Sequence, residues 1–185
     1  MRTGGGGKLF AMMESRASWI VENSGTQTIA NILWAFARVN LDLSLNIPHP
    51  TKFIAAVDAR AEWFVNNAKP QEISNAAWAC AKLDTHAANL FQNITRVQDR
   101  FLDKSKSVEV GAAAWAFANL AVPGAFTFVD AVNRRASQIG TKTRSSRELA
   151  LIAYVCKAPP TLFTSPSKFW AIGVCHRCVC AHPIR

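Results

Sequence analysis

The order of apolar and polar positions divides the chain into two alternating kinds of helical segment. The segment FIAAVDARAEWF, from Phe53, carries apolar residues at spacings of three and four, with polar residues between them. FQNITRVQDRFL from Phe91, FVDAVNRRASQI from Phe128 and the stretch 9–20 show the same spacing, which predicts amphipathic helices. The stretch 32–37 is instead apolar on every side, which predicts a helix covered by neighbours on both sides.

A tryptophan inside alanine-rich sequence marks each of the apolar segments. The segments IANILWAFARV, ISNAAWACAKL and VGAAAWAFANL are centred on Trp34, Trp78 and Trp115, and a weaker fourth is centred on Tyr154. The aromatic residues follow one another at intervals of 44, 37 and 39 residues, a period typical of helical repeat proteins. We interpret the alanines as allowing close approach of helix axes and the tryptophans as filling the space between layers.

Together the two patterns predict an all-α fold, a right-handed α-solenoid of about four helical hairpins whose inner helices stack on one another. Pro70 suits the start of a helix, and Pro123–Gly124 separates the two helices of the third hairpin. The predicted divisions are a flexible N-terminus (1–8), a helical-repeat domain (9–158) and an irregular Cys-rich tail (159–185). Within the domain we expect a partial repeat at 9–21, repeats at 26–66, 70–104 and 107–140, and a degenerate repeat at 145–158.

Charge adds a class of partner to this picture. The 185 residues carry a net charge of +9 with a pI near 9.8, which favours a polyanion such as nucleic acid or an acidic membrane surface. No apolar run is long enough to span a bilayer, so we expect no membrane partner. Neither a secretory signal nor a convincing transit peptide is visible, and the five cysteines do not resemble a secreted disulfide framework.

The stretch PQEISNAAWACAKL (70–83), followed by HAANLF (86–91), resembles the helical repeats of organelle RNA-binding proteins. These are the octotricopeptide-like repeats of algae, the related repeats of FAST-kinase-like and RAP-domain proteins, and a similar domain in the kinetoplastid RNA-editing substrate-binding complex. The resemblance covers about residues 9–158, is strongest in the second repeat and does not extend to a RAP-like nuclease-type domain. It implies binding of single-stranded RNA in a mitochondrion or plastid, for processing, stability or translation of transcripts, with other organelle RNA-processing proteins as further partners.

Polar residues at spacings of four and seven on the inner helices are the candidate RNA-binding residues. They are Gln27, Asn31 and Arg38 in the first repeat, Gln71, Asn75 and Lys82 in the second, and Asn119 in the third. Amide side chains can donate and accept at base edges, and Arg or Lys can pair with phosphate, so stacked repeats would present them along a shared concave surface. The alternative is that Asn31 and Asn75 hydrogen-bond the backbone of an adjoining hairpin.

A second basic group lies in NRRASQIGTKTRSSR (133–147), which contains no acidic residue. Its cations are Arg134, Arg135, Lys142, Arg144 and Arg147. They form either a phosphate-binding patch or the solvated end of a helix and its linker. On the outer helices we interpret Arg60, Arg96 and Arg100 as ordinary surface charges.

Patterns typical of catalysis do not assemble in this sequence. GGGGK (4–8) lacks the Ser or Thr that a phosphate loop needs after its lysine, because Leu9 stands there. The tail residues Cys175, His176, Cys178, Cys180 and His182 are zinc-capable, yet all lie within eight residues, so we predict no metal site. We therefore expect no enzyme, no cofactor and no small-molecule substrate. A protein-binding scaffold of HEAT or armadillo type is the alternative function, and an apolar groove would favour it.

Overall fold

The computed structural model describes residues 5–39, 48–120 and 122–142, and in these ranges it contains ten α-helices and no β-strand. Helices α1 to α10 are Gly5–Ser15, Ala17–Asn23, Thr26–Val39, Thr51–Ala59, Ala61–Asn67, Pro70–Lys82, Ala88–Arg96, Gln98–Lys104, Ser107–Leu120 and Ala125–Lys142. The predicted all-α class is confirmed. None of these helices combines the length and the apolar character that a bilayer crossing requires.

Three alanine-rich helices, α3, α6 and α9, lie side by side in the centre of the described structure. Helix α6 packs against α3 on one side and α9 on the other. Its residues Ala76, Ala77 and Ala79 have no exposed surface, because their small side chains allow the neighbouring helices to approach closely. We refer to α3, α6 and α9 as the inner helices and to the others as the outer helices.

The outer helices cover the inner ones and pack against one another along the chain. Helix α2 packs on α4, α5 packs on α7, and α10 packs on α9. Phenylalanines fill the space beneath them. Phe36 lies near Phe53 with 5.9 Å between ring centroids, and Phe117 stacks on Phe128 at 4.3 Å. Each of these rings is fully buried, so phenylalanines of the inner and the outer helices together supply much of the core.

Three outer helices are interrupted at equivalent positions, although the sequence pattern predicts uninterrupted ones. Helices α1 and α2 meet at Arg16, α4 and α5 at Arg60, and α7 and α8 at Val97, with φ near −110° and ψ near 20° at each residue. At the second break the Arg60 N–H donates to the Val57 carbonyl, three residues back, at 3.1 Å. No Pro or Gly stands at these breaks, and the second half of each interrupted helix packs on a later outer helix, α2 on α4, α5 on α7 and α8 on α10.

Carboxylates of one outer helix cap the beginning of the next. The Glu14 carboxylate accepts the N–H groups of Lys52 and Phe53 at the start of α4. The Asp58 carboxylate, 44 residues further on, accepts the Leu90 N–H at 2.8 Å near the start of α7. The first N–H groups of a helix have no partner within it, so both carboxylates satisfy donors that the helix leaves open.

The inner helices have their own start signals. The Lys69 N–H donates to the Glu72 carboxylate at 2.9 Å, and the Lys106 N–H donates to the Glu109 carboxylate at 2.7 Å. Both glutamates are buried, and each returns to the backbone just before its helix. These contacts set the start of α6 at Pro70 and of α9 at Ser107.

The chain becomes helical earlier than the sequence predicts. We expected residues 1–8 to be flexible, but α1 begins at Gly5 and includes Lys8. Phe10 packs edge-on against Phe36 of α3, with 4.7 Å between the ring centroids. This contact joins α1 to the inner helix α3.

Candidate nucleic-acid interface

The three inner tryptophans lie at the surface or at the edge of the core rather than fully between layers. Trp34 is 45% exposed, and Trp78 and Trp115 are partly buried at the edge of the core. The interpretation that the tryptophans fill the interlayer space is wrong for Trp34 and only partly right for the other two. The buried positions of the inner helices are taken instead by alanines and by the phenyl rings of Phe36 and Phe117.

Cationic side chains lie beside these rings. The guanidinium carbon of Arg38 is 5.6 Å from the centroid of Trp34, one helical turn earlier. The ammonium nitrogen of Lys82 is 5.9 Å from the centroid of Trp78 and 4.7 Å from that of Trp115. These distances are those of cation–π pairs. We refer to these five residues as the tryptophan–cation column.

The position of Lys82 changes its acid–base behaviour. Its side chain is half-buried between α6 and α9, and this burial lowers the pKa of the ammonium group. Desolvation disfavours the charged form of a base, whereas an anion nearby would favour it. Lys82 is therefore a cation that a phosphate group would stabilise.

The amide side chains predicted to face RNA precede the column residues on α3 and α6. Gln27, Asn31 and Gln71 are exposed, and Asn75 is partly exposed. The alternative, a hydrogen bond from Asn31 or Asn75 to an adjoining hairpin, does not occur among the residues that the structure describes. Their donors and acceptors therefore face solvent, in positions from which they could reach a ligand.

Asn119 differs from the other amides. Its side-chain nitrogen donates to the carbonyl of Ala81, at the end of α6, at 3.4 Å. Lys82, the residue after Ala81, lies over Trp115, one turn before Asn119 in α9. Asn119 thus ties the end of α6 to α9 and helps to position Lys82, which is a structural contact rather than an open recognition group.

The basic segment 133–147 is only partly described. Arg134 is exposed and forms an ion pair with Asp130, one turn earlier in α10, so its charge is partly neutralised. Arg135 and Lys142 also belong to α10. The last two cations of this prediction, Arg144 and Arg147, lie outside the described residues.

Two outer-helix arginines are not ordinary surface charges, and that interpretation is wrong for them. Arg60 donates to the carbonyl of Val21 at the end of α2, and Arg100 donates to the carbonyl of Val65 at the end of α5, at 2.9 Å. The last carbonyls of a helix lack partners within it. Arg60 therefore supplies a donor to the end of α2, and Arg100 supplies one to the end of α5. Arg96 is exposed, as expected, and donates a hydrogen bond to Asn93 of its own helix.

An apolar groove of about 300 Å³ lies between α1 and α3. It is lined by Leu9, Phe10, Met13, Thr28, Asn31, Ile32 and Ala35. In α6, the residues at the same sequence offsets from the tryptophan as Ile32 and Ala35 are Ala76 and Ala79. Both are completely buried. The groove therefore lies on the side of α3 that corresponds to the covered side of α6.

The described residues contain no group of three or more His, Cys, Asp or Glu side chains that could hold a metal ion. The Cys- and His-containing tail lies outside them. His49 has a structural environment, with Nε2 at 2.9 Å from the Leu83 carbonyl and 3.3 Å from the Thr85 hydroxyl.

In comparisons with known proteins, no protein-family model, curated protein or solved structure matches this chain.

Proposed function

We propose that this protein is an α-solenoid of about four helical hairpins that binds single-stranded RNA. The observation that carries the proposal is the shared surface of the three inner helices. Arg38 of α3 and Lys82 of α6 lie beside tryptophans at equivalent positions, and exposed amides precede them on the same helices. Cations for phosphate and amides for base edges are the groups by which helical-repeat proteins bind RNA strands.

Equivalent contacts that recur at the intervals of the tryptophans support the solenoid. Glu14 and Asp58, 44 residues apart, each cap the next outer helix. The breaks at Arg16, Arg60 and Val97 follow the same 44- and 37-residue intervals as the tryptophans. Neighbouring units that use the same contacts would stack with a regular offset, as solenoid repeats do.

A role in organelle RNA processing, stability or translation is the part of the proposal that rests on resemblance. The segment 70–83, which resembles organelle RNA-binding repeats, forms α6 and its capping contacts. Imaging of the tagged full-length protein should show it in a mitochondrion or plastid. A protein confined to the cytosol or nucleus would contradict the organelle assignment and leave the RNA-binding proposal to its own test.

The test of RNA binding is titration of the purified chain with a random single-stranded RNA pool at low and high salt. We expect binding that weakens with salt, because phosphate contacts release counterions. The Arg38→Ala/Lys82→Ala variant should bind more weakly at low salt. Its dependence on log salt should be shallower by about 0.7 for each phosphate that the variant no longer neutralises.

A matched control removes the same charge elsewhere. Lys52 and Lys104 are exposed on outer helices, so Lys52→Ala/Lys104→Ala lowers the net charge equally without touching the column. This variant should bind almost as tightly as the parent. Equal weakening in both variants would mean that net charge, not the inner-helix surface, attracts RNA, and absence of binding at low salt would overturn the proposed function.

The second candidate function is a protein-binding scaffold, and the groove between α1 and α3 favours it. Its apolar lining would suit a helix that packs on α3 as α3 packs on α6. If this function is correct, partners isolated with the tagged protein from native cells should survive ribonuclease treatment and be absent from the Ile32→Glu variant. Partners that ribonuclease treatment removes would instead support the RNA-binding function.

A further inference from the structure

We infer that Trp34, Trp78 and Trp115 are a stacking platform for unpaired nucleobases, one ring on each inner helix. The inference rests on the proposed RNA-binding function and deepens it, because it specifies a single strand with accessible bases. It also gives a role to Trp34, whose exposed ring core packing does not explain, and to the outer parts of Trp78 and Trp115, which lie at the edge of the core.

Exposure is the first observation. A tryptophan that is 45% exposed, as Trp34 is, leaves a large apolar ring in water. Isolated exposed apolar residues are common, but here partly buried rings, Trp78 and Trp115, stand at the same position of the two adjacent inner helices, and Lys82 lies near both. Each ring can stack on any of the four bases, because every base presents an aromatic face.

The second observation is that the cations of the column lie further from their rings than Arg60 lies from Trp63. On the outer helices Arg60 lies 3.8 Å from the centroid of Trp63, which leaves no space for another group on that ring face. In the tryptophan–cation column the corresponding distances are 5.6 Å for Arg38 on Trp34 and 4.7 Å for Lys82 on Trp115. The cations of the column lie close to the rings without the tight contact that Arg60 makes.

The two groups fit the two parts of a nucleotide. A phosphate can draw the Lys82 ammonium away from Trp115, which exposes the ring face for a base. Arg38 and Trp34 offer the same combination on α3. Positively charged grooves lined with aromatic rings are the general solution for binding single strands, with stacking on the rings and ion pairs along the backbone.

The spacing of the rings requires an unpaired strand. Packed helices lie about 8–10 Å apart, so rings on adjacent inner helices are separated by a similar distance. Consecutive bases along one strand of a B-form duplex rise by only about 3.4 Å per nucleotide, and bases in an A-form RNA duplex are likewise stacked directly on one another. Bases that occupy neighbouring rings must therefore be splayed apart, and base-paired RNA cannot supply them.

The experiment compares three probes on the full chain. They are an unstructured oligouridylate, the same oligonucleotide with abasic sites in place of its bases, and an RNA duplex of equal length. We expect the oligouridylate to bind more tightly than the abasic strand by on the order of 10-fold or more, because base stacking adds to the phosphate contacts. Tryptophan fluorescence should be quenched by the oligouridylate and much less by the abasic strand.

Substitution of single tryptophans shows which rings the bases contact. Trp34→Leu should weaken oligouridylate binding by roughly 10-fold and leave abasic-strand binding unchanged. Trp19→Leu is the matched control, because Trp19 is 62% exposed but lies on the outer helix α2. Trp78→Phe keeps a smaller aromatic ring and should fall between the parent and Trp78→Leu. Circular dichroism of each variant separates loss of stacking from loss of folding.

The outcomes separate this inference from the function on which it rests. If the abasic strand binds as tightly as the oligouridylate, or if Trp34→Leu binds as the parent does, base stacking is wrong and RNA binding by charge remains. If neither single strand binds at low salt, both the inference and the proposed function are overturned.

Discussion

The ammonium nitrogen of Lys82, on α6, lies 4.7 Å from the ring centroid of Trp115, on α9, and closer to it than to Trp78 on its own helix. The single positive charge of Lys82 therefore lies near aromatic rings of two inner helices. Burial lowers the pKa of this group from its ordinary value of 10.5. For a base, a pKa that is lower in the folded state means that the charged side chain reduces the free energy of unfolding. At neutral pH Lys82 is charged, so this cost is present there.

Replacement of Lys82 by methionine should remove that penalty while keeping most of the side-chain volume. We expect Lys82→Met to be at least as stable as the parent at neutral pH in chemical denaturation. The difference should shrink as the pH rises through the folded-state pKa toward 10.5, because the parent lysine then loses its charge as well. A variant that is less stable at neutral pH would show that the cation–π attraction exceeds the cost of desolvation.

Arg60 should contribute measurably to stability, because it joins two outer helices. It donates to the carbonyls of Val21 and Glu22 at the end of α2 and lies over the ring of Trp63. Lysine cannot reproduce the paired donors or the planar stacking, so Arg60→Lys should lower the free energy of unfolding by about 1–2 kcal/mol.

Arg96→Lys is the control for this prediction, because Arg96 is exposed and its hydrogen bond goes to Asn93 of its own helix. It should change the free energy of unfolding by less than about 0.5 kcal/mol. Denaturant titration of both variants decides the question, and equal stability of the two would mean that the link from Arg60 to α2 contributes little.

Gly124 should not tolerate a side chain. It adopts a φ of 85°, and an added Cβ would lie 2.8 Å from the hydroxyl oxygen of Thr95. Gly124→Ala should therefore destabilise the protein by about 1–3 kcal/mol, through backbone strain and through the steric contact.

The double variant Thr95→Ala/Gly124→Ala separates these two causes in thermal or chemical denaturation. Removal of the Thr95 hydroxyl relieves the contact but leaves the positive φ, so only part of the missing stability should return. Complete recovery would assign the whole effect to the contact with Thr95, and no recovery would assign it to the backbone.

Cys80 should be unreactive in the folded protein. It is a buried free thiol, and burial, reinforced by the negative charge of Asp58, raises the pKa of the thiol to about 12. Alkylation followed by peptide mapping should show that the Cys80 peptide is labelled only as fast as the protein unfolds. Rapid labelling of folded protein would contradict the buried position.

The same shift predicts how stability changes at alkaline pH. Above about pH 9 the unfolded chain loses the Cys80 proton while the folded chain retains it, so stability should fall as the pH rises toward 12. The contribution approaches about 1.4 kcal/mol per pH unit within this window. Cys80→Ala should lack this part of the stability loss at alkaline pH. If the free energy of unfolding of the variant and the parent changed identically with pH, the raised pKa would be contradicted.

The candidate interface was only partly predictable. The spacing of Arg38 and Lys82 from their tryptophans predicts a shared face, because residues four apart on a helix are neighbours. The exposure of Trp34 was not predictable, because an aromatic residue inside an apolar run normally indicates the core. Nor does sequence spacing show that Lys82 reaches a ring on the next helix, since that contact depends on how α6 and α9 are aligned.

The amphipathic and alanine-rich patterns determined the helical class and the approximate positions of the inner helices, because they reflect local periodicity and side-chain size. The tertiary structure decided which polar groups serve the fold and which face solvent. Arg60 and Arg100 became caps because helix ends came within their reach, and Asn119 bonded the carbonyl of Ala81 for the same reason. Such contacts join residues more than 30 positions apart, and only the packing of one helix pair on the next brings their hydrogen-bonding atoms together.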